Sequence, residues 1–310
     1  TIVFDTSDGN QVAALKGEAS SVAWSADGST FMVGNSERLR FWNTADYSKE
    51  IATIPLDAQT LIIGLPREPF SPDGRSIVVL RQDDTAAIWQ VEDSREVAIL
   101  DGHASPLTDA SFSPDGSRVA TAPTDKTVVV WDVATGRKIA GLEGHEKAIE
   151  QVSFSPDGTR ILTIGRDQTV RVWDAASGGA VATLRHEAKV EAAAFDRESK
   201  RIVTGADDGA ARVFDAASGT EIVTLKEDGV EKVLSAAFSP DGARIATGSS
   251  DEFVRVWEAA SGGQIVKLNS LSEGYGVGFT EDARIVARPH GAMGVIYTAQ
   301  QQNEDIQLAD

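Results

Sequence analysis

The chain has 310 residues, 41% of them hydrophobic and 25% charged, a profile that supplies a large core and a polar surface to cover it. It has no cysteine, which excludes disulfides, thiolate metal sites and cysteine nucleophiles. Its 29 Lys plus Arg stand against 47 Asp plus Glu; the formal charge of −18 repels phosphate backbones and anionic lipid, which argues against nucleic-acid and membrane partners.

No apolar run approaches the ~18 residues that cross a bilayer. The first ten residues, TIVFDTSDGN, have neither the basic nor the apolar region of a secretory signal, and they lack an initiator Met. The expectation is a cytoplasmic protein, or a piece of a longer one.

In chain order, residues 2–5 (IVFD) predict a short strand ending on an aromatic, and residues 11–16 (QVAALK) a second strand. From Trp24 onward one unit recurs. A first strand ends on an aromatic, and a Ser-x-Asp-Gly turn follows: SADG at Ser25, then SPDG at Ser71, Ser113, Ser155 and Ser239. Degenerate turns stand at Asp196 (DRES) and Thr280 (TEDA), making seven copies. A second strand such as RILTIG follows, then a polar turn and a third strand such as TVRVWD. An A-x-x-G turn leads to a fourth strand such as AVATL. The third strands end on Trp42, Trp89, Trp131, Trp173, Phe214, Trp257 and Tyr297, spaced 47, 42, 42, 41, 43 and 40 residues apart, with an eighth partial copy at Phe4. Many runs are apolar on consecutive residues, as in sheets covered on both faces.

A period near 42 with aromatic-Asp and Gly-His markers resembles the WD40 repeat family over nearly the whole chain. The resemblance implies an all-β, seven-bladed propeller of four-stranded antiparallel blades. Residues 1–310 would form one domain whose ring is closed by the N-terminal strand, with about 11–16 as the outer strand of the blade built on about 275–298. The strand at 2–5 is then surplus, and the tail AQQQNEDIQLAD offers a competing outer strand.

Four positions recur at fixed spacing. His103, Thr121 and Asp125 lie 28, 10 and 6 residues before Trp131; His145, Thr163 and Asp167 stand in the same way before Trp173; His186, Thr204 and Asp208 precede Phe214. In the WD40 family such residues form a buried chain, Asp to His, His to hydroxyl, hydroxyl to indole. The resemblance gives these residues a structural role, and histidines that recur on different blades cannot converge on a metal. Other repeats are incomplete: Met32 and Ser36 in the first, Val79 in the second, no His near 229 in the sixth, Ala287 and Gly291 in the last. Arginines that recur at one register (Arg75, Arg118, Arg160, Arg201, Arg244 and Arg284 opening second strands; Arg40, Arg171, Arg212 and Arg255 two before the anchor) serve the blade.

No nucleophile elbow, phosphate-binding loop, zinc-protease or calcium-loop pattern is present. The glycine-rich GYGVG at 274–278 reads as a first strand packed near the axis. The expectation is a non-enzymatic scaffold or sensing domain of a bacterial-type WD40 protein, monomeric as an isolated domain, without cofactor or metal, that binds a protein or peptide on its top rim. The alternative is a propeller that binds a small molecule or metal ion at the pore mouth, with or without hydrolysis. The candidate partner-binding residues depart from the repeat: Arg81, Arg166, Asp207 and His290 in the second-to-third-strand turns, and Lys147 and Lys189 in the loops entering first strands.

Overall fold

The computed structural model describes residues 2–4, 10–15, 19, 21–25, 27–35, 37–56, 62–64, 66, 68–269, 275–280, 285–289 and 295–297. They form six four-stranded antiparallel sheets, each built from strands consecutive in the chain. Sheet one spans 21–55, sheet two 62–100, sheet three 107–143, sheet four 149–185, sheet five 190–226 and sheet six 233–269. A three-stranded sheet (Tyr275–Phe279, Ile285–Pro289, Val295–Tyr297) and a two-stranded one (Ile2–Phe4, Gln11–Ala14) complete the described fold.

The Ser-x-Asp-Gly turn fixes the first hairpin of five of the six four-stranded sheets; sheet five turns on Asp196–Ser199, with the Ser199 amide on the Asp196 carbonyl at 2.9 Å. In sheet three the Ser113 hydroxyl donates to Asp115 Oδ1 at 2.5 Å and accepts from the Arg118 amide at 2.9 Å. Gly116, at φ +70°, returns its amide to the Ser113 carbonyl at 2.8 Å, a left-handed conformation that glycine adopts without steric cost. Phe112 is thereby set opposite Val119.

The middle strands carry the core. Arg160–Gly165 is buried from its second residue on, while the outer strand Ala180–Arg185 alternates between exposed and covered positions. The outer strands share a β-bulge. Trp131 pairs with Lys138 and Val130 with Ala140, so Ile139 is the extra residue. Val181, Ile222 and Ile265 are bulged in the same way on the following sheets. A bulge on an edge strand twists it and interrupts the ladder another strand would need.

By packing, the chain divides into two compact units, 1–154 with 175–179, and 155–174 with 180–310. Within each unit the apolar clusters lie between consecutive sheets. Leu80 and Leu100 of sheet two pack with Ala110 and Trp131 of sheet three, and Val203 and Leu225 of sheet five pack with Ala236 and Trp257 of sheet six. Recurrent side chains stitch the sheets together. Arg118 lies over Phe154 and donates to the Ala175 carbonyl at 3.2 Å, and Arg201 lies over Phe238 and donates to the Gly242 carbonyl at 2.7 Å.

At the N-terminus, the strand expected to be surplus has a partner. Gln11–Ala14 takes Ile2–Phe4 as its antiparallel partner, and the last sheet has three strands among the described residues. The reason is visible in the register. Val3 pairs with Ala13 and Phe4 with Gln11, so Val12 is bulged as Ile139 is, and the hairpin reproduces the third and fourth strands of a repeat. Ile2–Phe4 is therefore the partner of Gln11–Ala14 rather than a surplus. The C-terminal tail lies outside the described residues.

Candidate functional site

The recurring polar positions come together first around Trp131. The indole N–H donates to Thr121 Oγ1 at 2.7 Å, and His103 Nε2 lies 2.6 Å from the same oxygen. The two rings meet edge to face with centroids 5.5 Å apart. The family pattern implies a hydrogen bond from Asp125 to His103. Here the Asp125 carboxylate is taken instead by the Thr127 amide and hydroxyl, at 2.9 and 2.7 Å, and by the Ser105 hydroxyl at 3.1 Å. Burial holds the His103 pKa below the ordinary histidine value, with the charge of Asp125 working the other way.

In sheet four the Trp173 indole donates to Thr163 at 2.9 Å, and Asp167 accepts from the Thr169 amide and hydroxyl. His145 is buried. In sheet five His186 Nε2 lies 2.9 Å from Thr204 Oγ1, but Phe214 supplies no indole. Asp208 turns to Arg212, at 2.5 and 3.2 Å, which leaves the buried His186 Nδ1 without a hydrogen-bond partner. Burial, assisted by the Arg212 charge, lowers the His186 pKa to about 4.

The arginines explain how incomplete repeats stay paired. In sheet six the Trp257 indole donates to Thr247 at 2.9 Å, with Gly229 where a histidine would stand. Arg255 instead fills the interior, only 1% exposed, with Asp251 at 2.5 and 3.0 Å and with Glu227. In sheet one Arg40 pairs with Glu50 at 2.6 Å and lies over Trp42.

Sheet two corrects the expectation for Arg81. It has Ala87 two before its anchor, and Arg81 enters from the second strand to pair with Glu96, which faces Trp89 as Glu50 faces Trp42. Arg81 is therefore 6% exposed, an interior residue rather than a presented one.

The other rim candidates are placed as follows. Lys147 and Arg166 are exposed. Asp207 and Lys189 meet: the Asp207 amide donates to the Lys189 carbonyl at 2.9 Å, tying the second-to-third-strand turn to the loop entering the first strand. The Asp207 carboxylate pairs with Lys232 at 2.9 Å, and Lys189 pairs with Glu191 at 3.0 Å. The paired Asp207 raises the Lys232 pKa. Sequence reasoning missed Lys232, although it stands at the position of Lys189 one repeat later and its carbonyl accepts from Ser250 as that of Lys189 does from Asp207. Val230 closes over this turn, its carbonyl oxygen 1.9 Å from where a Cβ on Gly209 would lie. His290 lies outside the described residues.

Four segments, 94–132, 136–174, 178–215 and 219–258, match the family model described as WD domain, G-beta repeat, and together they cover half of the chain. The chain belongs to the WD40 family. Each matched WD40 repeat contains the outer strand of one sheet and the three inner strands of the next, so the repeat frame spans two sheets. WD40 repeats generally mediate protein–protein interaction, and WD40 proteins are typically non-enzymatic scaffolds. No curated protein matches the chain. Among the described residues no helix is long and apolar enough to cross a membrane.

Proposed function

We propose that the chain is a non-enzymatic interaction module that binds a protein or peptide partner through the rim formed by its second-to-third-strand turns and the loops entering its first strands. The observation that carries this reading is the set of paired charges Lys189, Glu191, Asp207 and Lys232. Lys189 and Lys232 recur at one register, their side chains 43% and 46% exposed, while Glu191 and Asp207 are partly covered beneath them. In contrast, the recurrent Arg40, Arg212 and Arg255 are committed to ion pairs within their own sheets. A surface of alternating sign suits a partner with its own fixed pattern of charges, because complementary charge sets register and encounter rate more than raw affinity. Lys147 and Arg166 extend the proposed surface as exposed cations.

The proposal includes a single seven-bladed ring of residues 1–310, closed by the N-terminal strand. It is supported by the seven phased turns and by the third-and-fourth-strand register of the hairpin at 2–14. It also takes the isolated module as a monomer and its location as cytoplasmic.

The experiment is site-directed photo-crosslinking. A crosslinking residue is placed in turn at Lys147 and Lys189 on the rim, and at Lys200 on a first-to-second-strand turn. The reading requires a shared partner captured from the two rim positions and not from Lys200. Capture of that partner from Lys200 alone would move the interface to the other face.

A further inference from the structure

We propose that, among the described Asp-Gly pairs, Asp228–Gly229 is the primary site at which this chain forms a β-aspartyl linkage, with Asp101–Gly102 the second. The reaction needs nothing beyond the chain and water. The Gly229 backbone nitrogen attacks Asp228 Cγ, an N–C bond forms and a C–O bond breaks, and the carboxyl oxygen leaves as water with two protons. The resulting succinimide takes up one water at either carbonyl, giving back the ordinary linkage or passing the main chain through the side chain. Glycine favours the step because it has no Cβ to hinder closure.

Eight Asp-Gly pairs lie among the described residues, and six are held in two independent ways. At Asp241 the carboxylate accepts from the Ser239 hydroxyl at 2.6 Å and from the Ala243 amide at 3.0 Å, while the Gly242 amide is committed to the Ser239 carbonyl at 2.8 Å. The pairs at Asp27, Asp73, Asp115 and Asp157 repeat this arrangement. Asp208 is held by Arg212 and by the Ala210 amide, with the Gly209 amide on the Ala206 carbonyl at 3.2 Å. In these six the electrophilic carbon is fixed by its oxygens and the nucleophilic N–H is engaged. At Asp115 hydrogen bonding also favours the ionised carboxylate, the poorer acceptor of a nucleophile; its pKa is lowered to about 2, chiefly by the Ser113 hydroxyl.

Asp228 and Asp101 have neither restraint. Among the described residues no hydrogen bond reaches either carboxylate, and none leaves the Gly229 or Gly102 amide. Both pairs are exposed, and both lie in loops running from a fourth strand to a first. They differ in their surroundings. A Cβ on Gly229 would meet nothing within 4 Å, whereas one on Gly102, beside His103, would lie 3.5 Å from the Trp131 ring. Ring closure at Asp101 must therefore displace a buried polar cluster, which ranks Asp228 first. The new linkage would insert one methylene into the main chain between Glu227, which pairs with Arg255 and Lys267, and Val230, which closes over Gly209.

The test is ageing of the whole chain at neutral pH and body temperature. Peptide mapping with electron-based fragmentation and enzymatic methylation of β-aspartyl carboxyls then locate and count the linkages. The Asp228 peptide is expected to convert at least about tenfold faster than the Asp241 peptide, with the Asp101 peptide between them. The rates should converge in strong denaturant, where only the shared Asp-Gly sequence remains. Asp228→Glu should remove most of the signal without changing the melting temperature, and Ser239→Ala should bring Asp241 up toward Asp228. Equal conversion of Asp228 and Asp241 in the folded chain, the same ranking in denaturant, or an undiminished signal in Asp228→Glu would each overturn the assignment.

Discussion

Val79 stands ten residues before Trp89, where Thr121 stands before Trp131, and the Trp89 indole N–H is buried without an acceptor. A buried donor left unmade costs more than a made bond returns. Val79→Thr should therefore raise stability by about 1 kcal/mol, and Thr121→Val should lower it by roughly 1–3 kcal/mol. Urea unfolding of both variants checks the pair, since a generic penalty for a polar core residue would destabilise Val79→Thr as well.

The anchors themselves should be costly to remove. Trp173 is 1% exposed and bonded to Thr163, so Trp173→Ala should lose roughly 3–5 kcal/mol. Phe214→Trp should be tolerated or stabilising, because Thr204 is already held by His186 and lacks an indole. Thermal melts of the two variants should move in clearly different ways; a Trp173→Ala protein that melts like the parent contradicts the assignment.

Acid should weaken the fold through His186. Its folded pKa, about 4, lies below the ordinary 6.5, so the unfolded chain binds the proton more readily. The contribution of the neutral ring is complete above pH 6.5 and is lost as pH falls toward 4, by roughly 3 kcal/mol in all. His103 adds a loss of the same sign. His186→Gln, which keeps a side chain able to bond Thr204, should show a shallower fall over that interval. The carboxylates with lowered pKa values, such as Asp115, act at lower pH.

Glycine turns offer a controlled comparison. Gly28 and Gly178 share a left-handed φ, +69° and +73°, but a Cβ on Gly28 meets nothing within 4 Å while one on Gly178 lies 2.8 Å from the Gly141 carbonyl oxygen. Both alanine variants pay the conformational cost of about 1–2 kcal/mol. Gly178→Ala should lose about 1 kcal/mol more, because its turn packs directly on the outer strand of sheet three. Equal losses in chemical denaturation would mean that this turn has room to relax.

Much of this was legible in the sequence because it repeats. The period placed the Ser-x-Asp-Gly turns, the strands and the Thr–Trp pairs, and each copy corroborated the others. What failed to appear was competition between neighbours. Spacing placed Asp208 within reach of His186, yet Arg212, four residues on, takes its carboxylate because a charged pair outbids a neutral ring. Arg81 read as a departure from the repeat; it is the same interior cation delivered from a different strand. Val12 marked a fourth strand, but pairing it with residues 2–4 required the bulge register, which hydropathy does not carry.

A partner on the rim would engage the charges around Lys189 and Lys232. The measurement is the affinity of the crosslink-identified partner for the double charge reversal Lys189→Glu with Lys232→Glu, set against the single reversal Lys200→Glu, in proteins shown to melt like the parent. Lys200 is exposed and pairs with Glu198, so its reversal, a charge change of half the size, controls for a lysine reversal away from the rim. Rim binding should give at least about a tenfold loss for the rim variant and less than about a twofold change for Lys200→Glu. A rim variant that binds as tightly as the parent, or a greater loss at Lys200, would contradict it.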